Sequence, residues 1–186
     1  SSDVCSSDLF FVMSDFFRLV QQRESCRNYQ PGRYPTREQL VHCVEAARLA
    51  PSACNSQPWS FIVANHEAAA KVAPCVQSGN VNRFAENCPA FIVIFEEPAI
   101  LMGGQANQKY AQIDLGIATA HLCYAATEQG LSTCIMGSFN QQQLLETLGL
   151  PADKTIRLVL AIGYSADEHL RDKKRKPLDE IMTYLD

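Results

Sequence analysis

Apolar residues recur at helical spacing in several segments of the chain, and residues that start or stop helices bound each segment. Thr36 and Gln39 form a capping box that begins a helix over Thr36–Ala50. The segment Tyr110–Gln129 is rich in alanine and apolar on most sides, which predicts the longest and most central helix, ended by Gly130. Shorter helices are predicted after Ser14, over His66–Val72 as far as Pro74, after Asn140 and at Pro177.

Strand patterns lie between these helices. Trp59–Ala64 has the alternating pattern of a strand, and Phe91–Phe95 is a continuous apolar run, typical of a strand buried on both faces. Leu131–Ile135 and Ile156–Gly163 are the other two predicted strands. Helices and strands therefore alternate around a small sheet. Because no linker or repeat divides the chain, we expect a single domain over residues 13–186.

Composition and charge narrow the function classes. The chain has 186 residues, of which 47% are hydrophobic and 19% charged, as is ordinary for a soluble globular protein. The formal net charge of −4 gives no electrostatic basis for binding nucleic acid or an anionic membrane. No apolar run approaches the ~20 residues that span a bilayer. We therefore expect neither nucleic acid nor membrane as a partner.

Residues 1–12 are expected to be a non-native leader. The string Asp3-Val4-Cys5-Ser6-Ser7-Asp8-Leu9 resembles the translation of a sequencing-library adapter. The segment also lacks the basic and apolar regions of a signal peptide. Met13 is the expected native start.

The cysteines and histidines show no metal-ligand spacing. The eight cysteines include no Cys-x-x-Cys, and the four histidines are scattered. Such cysteines are typical of reduced thiols that pack as small apolar groups in a cytoplasmic protein. We predict no metal site.

Two basic clusters lie near opposite ends of the chain. Arg23, Ser25 and Arg27 alternate, so in an extended segment they share one face and form a phosphate clamp. The run Arg171–Lys176 is either a solvated surface or the other side of an anion site. Taken alone, each cluster is more typical of a solvated surface than of a binding site.

Two polar turns are further candidates. Ala50–Trp59 combines two prolines, short hydroxyl and amide side chains and the single Trp, a composition that suits contacts with a flat polar ligand. Ser132–Phe139 runs from a strand into Gly137, which permits close approach of the backbone to a ligand. Taken alone, Ala50–Trp59 is more typical of an ordinary connection than of a binding site, and Ser132–Phe139 is also compatible with an ordinary strand-to-helix turn.

The order of these motifs resembles the nitroreductase family of flavin enzymes, from about Met13 to the C-terminus. The matching motifs, in chain order, are Arg23-x-Ser25-x-Arg27, Ala50-Pro51-Ser52-x-x-Asn55-x-Gln57-Pro58-Trp59, Asp114-x-Gly116, Gly130-Leu131-x-Thr133-Cys134-x-x-Gly137-x-Phe139 and Lys173-x-Arg175-Lys176-Pro177-Leu178. The resemblance implies an α+β, three-layer fold with a central mixed β-sheet flanked by helices. It also implies an intertwined homodimer that binds FMN non-covalently at its interface.

The resemblance also implies roles for individual residues. The FMN phosphate would be held by Arg23, Ser25, Arg27, Lys173 and Arg175. Pro51, Ser52 and Ala53 would approach the isoalloxazine from the partner subunit, while Asn55 and Gln57 would bond the ribityl chain or the ring edge. The backbone at Met136 and Gly137 would reach the N5 side of the flavin.

The implied activity is ping-pong hydride transfer from NAD(P)H, through flavin N5, to a small-molecule acceptor such as a nitroaromatic or a quinone. No Gly-x-Gly-x-x-Gly follows a strand, so a separate dinucleotide fold is not indicated. No catalytic side chain is predicted, because the cofactor carries the chemistry. The alternatives are reductive dehalogenation, flavin fragmentation, or a non-catalytic flavin-binding protein that senses redox state.

Three details remain open beside this resemblance. Many relatives have Gly where Ser132 stands, so the turn beside the flavin is expected to differ from theirs. The segment Pro98–Gln108 is short compared with the helical insertions that cover the site in larger family members, which predicts a mobile lid over an open pocket. His121 is predicted to be a core or interface histidine rather than a proton donor. Cys54 and Cys134 are predicted to pack rather than to react, because no adjacent base lowers the pKa of either thiol.

Overall fold

The computed structural model describes residues 14–77 and 81–186, so the predicted leader lies outside the described residues. Four strands form one sheet in the order β1-β2-β4-β3, and each neighbouring pair is antiparallel. The strands are β1 (Trp59–Asn65), β2 (Ala90–Glu96), β3 (Ser132–Met136) and β4 (Thr155–Gly163). All four predicted strands are confirmed, with ends that differ by at most one residue.

Six α-helices accompany the sheet within the described residues. They are α1 (Asp15–Gln22), α2 (Arg37–Arg48), α3 (Glu67–Val76), α4 (Ala111–Glu128), α5 (Gln141–Leu148) and α6 (Leu178–Ile181). The capping box of Thr36 and Gln39 is present, and Ser14 and Asn140 cap α1 and α5 with their side chains. The local helix-start signals therefore predicted these boundaries correctly.

The prediction that Pro74 ends the third helix is wrong. The helix α3 continues through Pro74 to Val76. Proline removes one backbone donor, but Val72, Ala73, Cys75 and Val76 are all buried on this helix. Their burial against the sheet outweighs one lost hydrogen bond, and that packing is invisible in the local sequence.

The sheet is the middle layer of three. Along β2, Phe91, Val93 and Phe95 face the apolar core beneath α3 and α5. Ile92 and Ile94 face the other core, beneath α2 and α4. This two-residue alternation, with both faces buried, is what the continuous apolar run of β2 requires. The predicted α+β three-layer architecture is confirmed.

All three ladders of the sheet are antiparallel, so the predicted mixed character is limited to one isolated parallel bridge in the described residues. After α1 the chain runs beside β3, where Ser25 forms a parallel bridge with Thr133. The Cys26 N–H donates to the Thr133 carbonyl at 2.9 Å. This contact fixes the basic segment around Arg23 and Arg27 against the edge of the sheet.

Two further observations concern the described residues. None of their helices is both long and apolar enough to cross a bilayer. Their seven cysteines are all free thiols, six of them buried and Cys54 exposed.

Candidate functional site

The two basic clusters meet in one cavity of about 290 Å³, called here the basic cavity. The segment after α1 forms one wall, and the chain that precedes α6 forms the other. The lining residues are Arg23, Glu24, Ser25, Arg27, Arg171, Asp172, Lys173, Lys174 and Arg175. The structure thus brings together all five residues expected to hold a phosphate.

An ion pair that sequence reasoning missed joins the two walls. The Arg171 guanidinium Nε lies 3.1 Å from the Glu24 carboxylate, and the Arg171 backbone N–H donates to the same oxygen at 3.2 Å. Arg171 also donates to the Ser25 carbonyl. Both residues stand inside the charged clusters, but no local pattern shows that they pair across the fold.

Lys173 connects the cavity to the end of α1. Its Nζ donates to the Val20 carbonyl at 2.9 Å and to the Gln21 carbonyl, the position where a cation stabilises a helix C-terminus. Burial, together with the nearby charges of Arg23 and Arg175, lowers the pKa of Lys173. An ammonium group has three donors, so Lys173 can serve both α1 and an anion.

The remaining cations of the cavity are not neutralised. Within the described residues, no carboxylate forms an ion pair with Arg23, Arg27, Lys174 or Arg175. Guanidinium groups that converge with a hydroxyl, here Ser25, match the charge and geometry of a phosphate. The basic cavity is therefore suited to bind a phosphorylated ligand.

The second candidate region is the turn of residues 51–57, called here the 51–57 loop. Cys54, Asn55 and Gln57 have φ values of 51°, 53° and 47°, in the left-handed region that favours glycine. Each such residue costs about 1 kcal/mol or more, and such strain concentrates at ligand sites. The strain is balanced in part by the Gln57 N–H, which donates to Ser52 Oγ at 2.9 Å.

Side chains of the 51–57 loop also bond one another and α4. Gln57 Nε2 donates to the backbone and side-chain oxygens of Asn55 at 3.3 and 3.2 Å. The Ala53 N–H donates to the carboxylate of Asp114 on α4 at 3.1 Å. Asp114 belongs to the Asp-x-Gly motif, yet no local pattern assigns it this contact with Ala53.

Ser56 carries an orphan hydroxyl in the same loop. Its Oγ is buried and has no hydrogen-bond partner within the described residues. Buried polar atoms are nearly always satisfied, so this hydroxyl is an exception among the described residues.

The expected ring-side residues do not line the basic cavity. The 51–57 loop lies outside its lining, as do Met136, which is buried at the end of β3, and Gly137, which is exposed. Cys134 is buried beside them, and burial raises the pKa of its thiol. That shift favours the neutral thiol and a packing role.

Two other predicted features have defined positions. His121 is exposed on α4, and its Nδ1 lies 2.9 Å from the Ile117 carbonyl. The segment Pro98–Gln108 closes on itself through a bridge between Ile100 and Ala106, with Met102 88% exposed at its turn. The mobility of this segment stays a prediction.

Comparisons with known proteins agree with this geometry. The nitroreductase family model matches residues 20–164. The Bacillus subtilis protein YdgI, provisionally named an NAD(P)H nitroreductase, is 27% identical over 90% of this chain and 96% of its own length. Human iodotyrosine deiodinase 1 is 26% identical over 90% of this chain and 68% of its own.

Solved structures show the same likeness. An Exiguobacterium sibiricum protein solved in complex with FMN superposes with a TM-score of 0.78 and 26% identity, over 92% of this chain and 97% of that one. The family model, the relatives and the fold agree over most of the described residues. The chain belongs to the nitroreductase family.

Proposed function

We propose that this protein is an FMN-dependent oxidoreductase that uses NAD(P)H to reduce nitroaromatic or quinone-like acceptors. The observation that carries the proposal is the basic cavity, in which Arg23, Arg27 and Arg175 converge with no carboxylate partner among the described residues. FMN ends in a phosphate monoester, and this cavity supplies both the charge and the donors that such a group needs.

The residues present fit FMN. Arg23, Ser25, Arg27, Lys173 and Arg175 would hold the phosphate. Asn55 and Gln57 present amide groups for the ribityl chain or the ring edge. When bound, FMN supplies the hydride-transfer chemistry between nucleotide and acceptor.

A second copy of the chain is part of the proposal. The outward face of α4 carries a stripe at helical spacing: Ile113, Gly116, Ile117, Ala120 and Tyr124. Ile113 is 60% exposed, and nothing lies within 4 Å of the place where Gly116 would carry a Cβ. Glycine inside a helix costs about 1 kcal/mol relative to alanine. Close approach of a second backbone explains why glycine occupies this position.

Other apolar side chains extend the uncovered surface. Phe16 and Phe17 of α1 are exposed, and Phe16 lines a groove that also contains Ile117 and Tyr124. The C-terminal segment exposes Leu178, Ile181 and Leu185. Uncovered apolar area of this kind marks an interface. We infer that the segment and the α4 stripe pack against the second copy in an intertwined homodimer.

The homodimer defines how the flavin site is shared. We propose that the basic cavity, with Asn55 and Gln57, serves the flavin of its own chain, while Pro51–Ala53 serve the flavin of the second copy. No general acid or base is assigned, since the residues bind and orient the reactants. The free thiols of the described residues agree with a reducing cytoplasm.

Anaerobic stopped-flow spectroscopy tests the proposed function. We expect NADH or NADPH to bleach the flavin absorbance of the FMN-loaded protein, and a nitroaromatic or quinone to restore it with matching loss of the acceptor. Absence of bleaching with both nucleotides would contradict the proposal and favour a non-catalytic flavin-binding protein.

Reductive dehalogenation is the second candidate, favoured by the similarity to iodotyrosine deiodinase 1 over 90% of this chain. In that reaction two electrons and a proton replace a carbon–iodine bond with carbon–hydrogen and release iodide. The same reduced protein, mixed with an iodophenol, distinguishes the two. Stoichiometric iodide release with slow nitroaromatic turnover would favour dehalogenation.

A further inference from the structure

Asp114 is the most deeply buried charged residue in the described part of the chain, with 4% exposure. Its neighbours on α4, Leu115 and Ala118, belong to the apolar core between this helix and the sheet. Within residues 14–77 and 81–186 it forms no ion pair. A buried carboxylate without a cation is costly, so a specific contact has to account for it.

That contact is with the 51–57 loop. Asp114 Oδ2 accepts the Ala53 N–H at 3.1 Å, across 61 residues of sequence. Ala53 directly precedes the left-handed residues Cys54 and Asn55. A hydrogen bond to an ionised acceptor is among the strong ones, and it fixes the loop at the point where the strained turn begins.

We propose that Asp114 is the positioning residue of the 51–57 loop, holding the Ala53 N–H so that the turn keeps the conformation that receives the flavin. The inference rests on the proposed function for its ligand. The contact itself exists without that ligand. Asp114 is buried behind the loop and acts through Ala53.

Three variants separate this role from general packing. Asp114→Ala removes the acceptor, and Asp114→Asn keeps an acceptor oxygen and the volume but removes the charge. The matched control is Thr119→Val, because Thr119 is also a buried polar residue of α4. Its hydroxyl donates to the Leu115 carbonyl at 2.7 Å and, within the described residues, makes no hydrogen bond to the loop.

Two measurements are made on each variant. Amide hydrogen exchange of the apo protein reports on the Ala53 N–H directly, and titration with FMN reports on the loop as a binding surface. We expect selective loss of Ala53 protection in Asp114→Ala, with an FMN dissociation constant raised on the order of 10-fold or more. For Asp114→Asn we expect an Ala53 exchange rate and an FMN dissociation constant between those of Asp114→Ala and the native protein. Thr119→Val should keep the native values of both quantities.

The inference is overturned if Ala53 protection in Asp114→Ala and Asp114→Asn equals that of the native protein. It is also overturned if FMN affinity falls no further in Asp114→Ala than in Thr119→Val. Should Asp114→Ala fail to fold, the faster exchange expected at Ala53 in Asp114→Asn carries the test. Failure of native protein to bind FMN would instead contradict the proposed function, and the exchange measurement would still test the Asp114 contact.

Discussion

The basic cavity and the 51–57 loop both belong to the proposed flavin site, but they differ in how their contacts are made. The walls of the cavity are joined within one chain, by Arg171 with Glu24 and by Lys173 with the end of α1. The loop leaves the Ser56 hydroxyl without a partner in the described chain. Apolar residues of α4 such as Ile113 likewise remain uncovered.

This difference separates two kinds of binding surface. A phosphate site needs charge and donors, which a single chain can assemble from two distant segments. A flat ring needs surfaces on both sides, and in the proposed site we expect the second copy to supply one of them. On the proposed function, we expect phosphate affinity to depend on one chain and the ring pocket to depend on two.

The largest expected effect comes from the cavity. Changing Arg23 and Arg27 to alanine removes charge-assisted hydrogen bonds worth about 1.5–3 kcal/mol each, so FMN should bind about 100-fold more weakly or worse. Fluorescence titration of the apo protein measures this loss. Riboflavin, which lacks the phosphate, should bind both proteins equally, and Arg37→Ala is the matched charge control. Equal losses for FMN and riboflavin would contradict the phosphate assignment.

The next effect concerns the second copy. Ile113→Glu places a charge in the proposed interface, where leaving it unpaired costs several kcal/mol. We expect the native dimer to dissociate to a species near 20.6 kDa in light scattering, with loss of bound flavin. Val81→Glu, on an exposed apolar residue outside the α4 stripe, should remain dimeric. A native protein that is monomeric while holding FMN would remove the basis for a shared ring pocket.

Thiol labelling gives a smaller and local effect. Cys54 is exposed in the loop, whereas the six other described cysteines are buried. In a Cys5→Ser background, intact-mass measurement should show that maleimide labels one thiol quickly. FMN at ten times its dissociation constant should slow that labelling about 10-fold if it covers the loop. Unchanged labelling would show that the bound ligand does not reach Cys54.

The smallest effect is expected at Lys173, because its ammonium group is shared with α1. A cation at a helix C-terminus contributes about 0.3–1 kcal/mol, so Lys173→Gln should lower stability slightly and weaken FMN binding only a few-fold. Lys71→Gln, on an exposed lysine of α3, is the control in thermal melts and titrations. A loss as large as that of the arginine pair would make Lys173 a principal phosphate ligand.

The sequence predicts the helices and strands whose causes are local, but it does not predict the contacts between distant segments. Capping residues such as Thr36 and the apolar run of β2 predict elements directly, because their causes lie within a few residues. The continuation of α3 through Pro74 depends on burial against the sheet. The contacts of Ala53 with Asp114 and of Glu24 with Arg171 join residues 61 and 147 positions apart, which no periodicity reveals.

Sharing of the flavin site between two copies is tested most directly with a heterodimer of two inactive chains. One chain carries Arg23→Ala with Arg27→Ala, and the other carries Ala53→Trp, which blocks the loop. The two chains are coexpressed with different tags, and the heterodimer is purified over both tags. It should hold about one FMN, because one of its two sites combines an intact cavity with an intact loop. A heterodimer without flavin, from parents that each fold, would contradict the shared site.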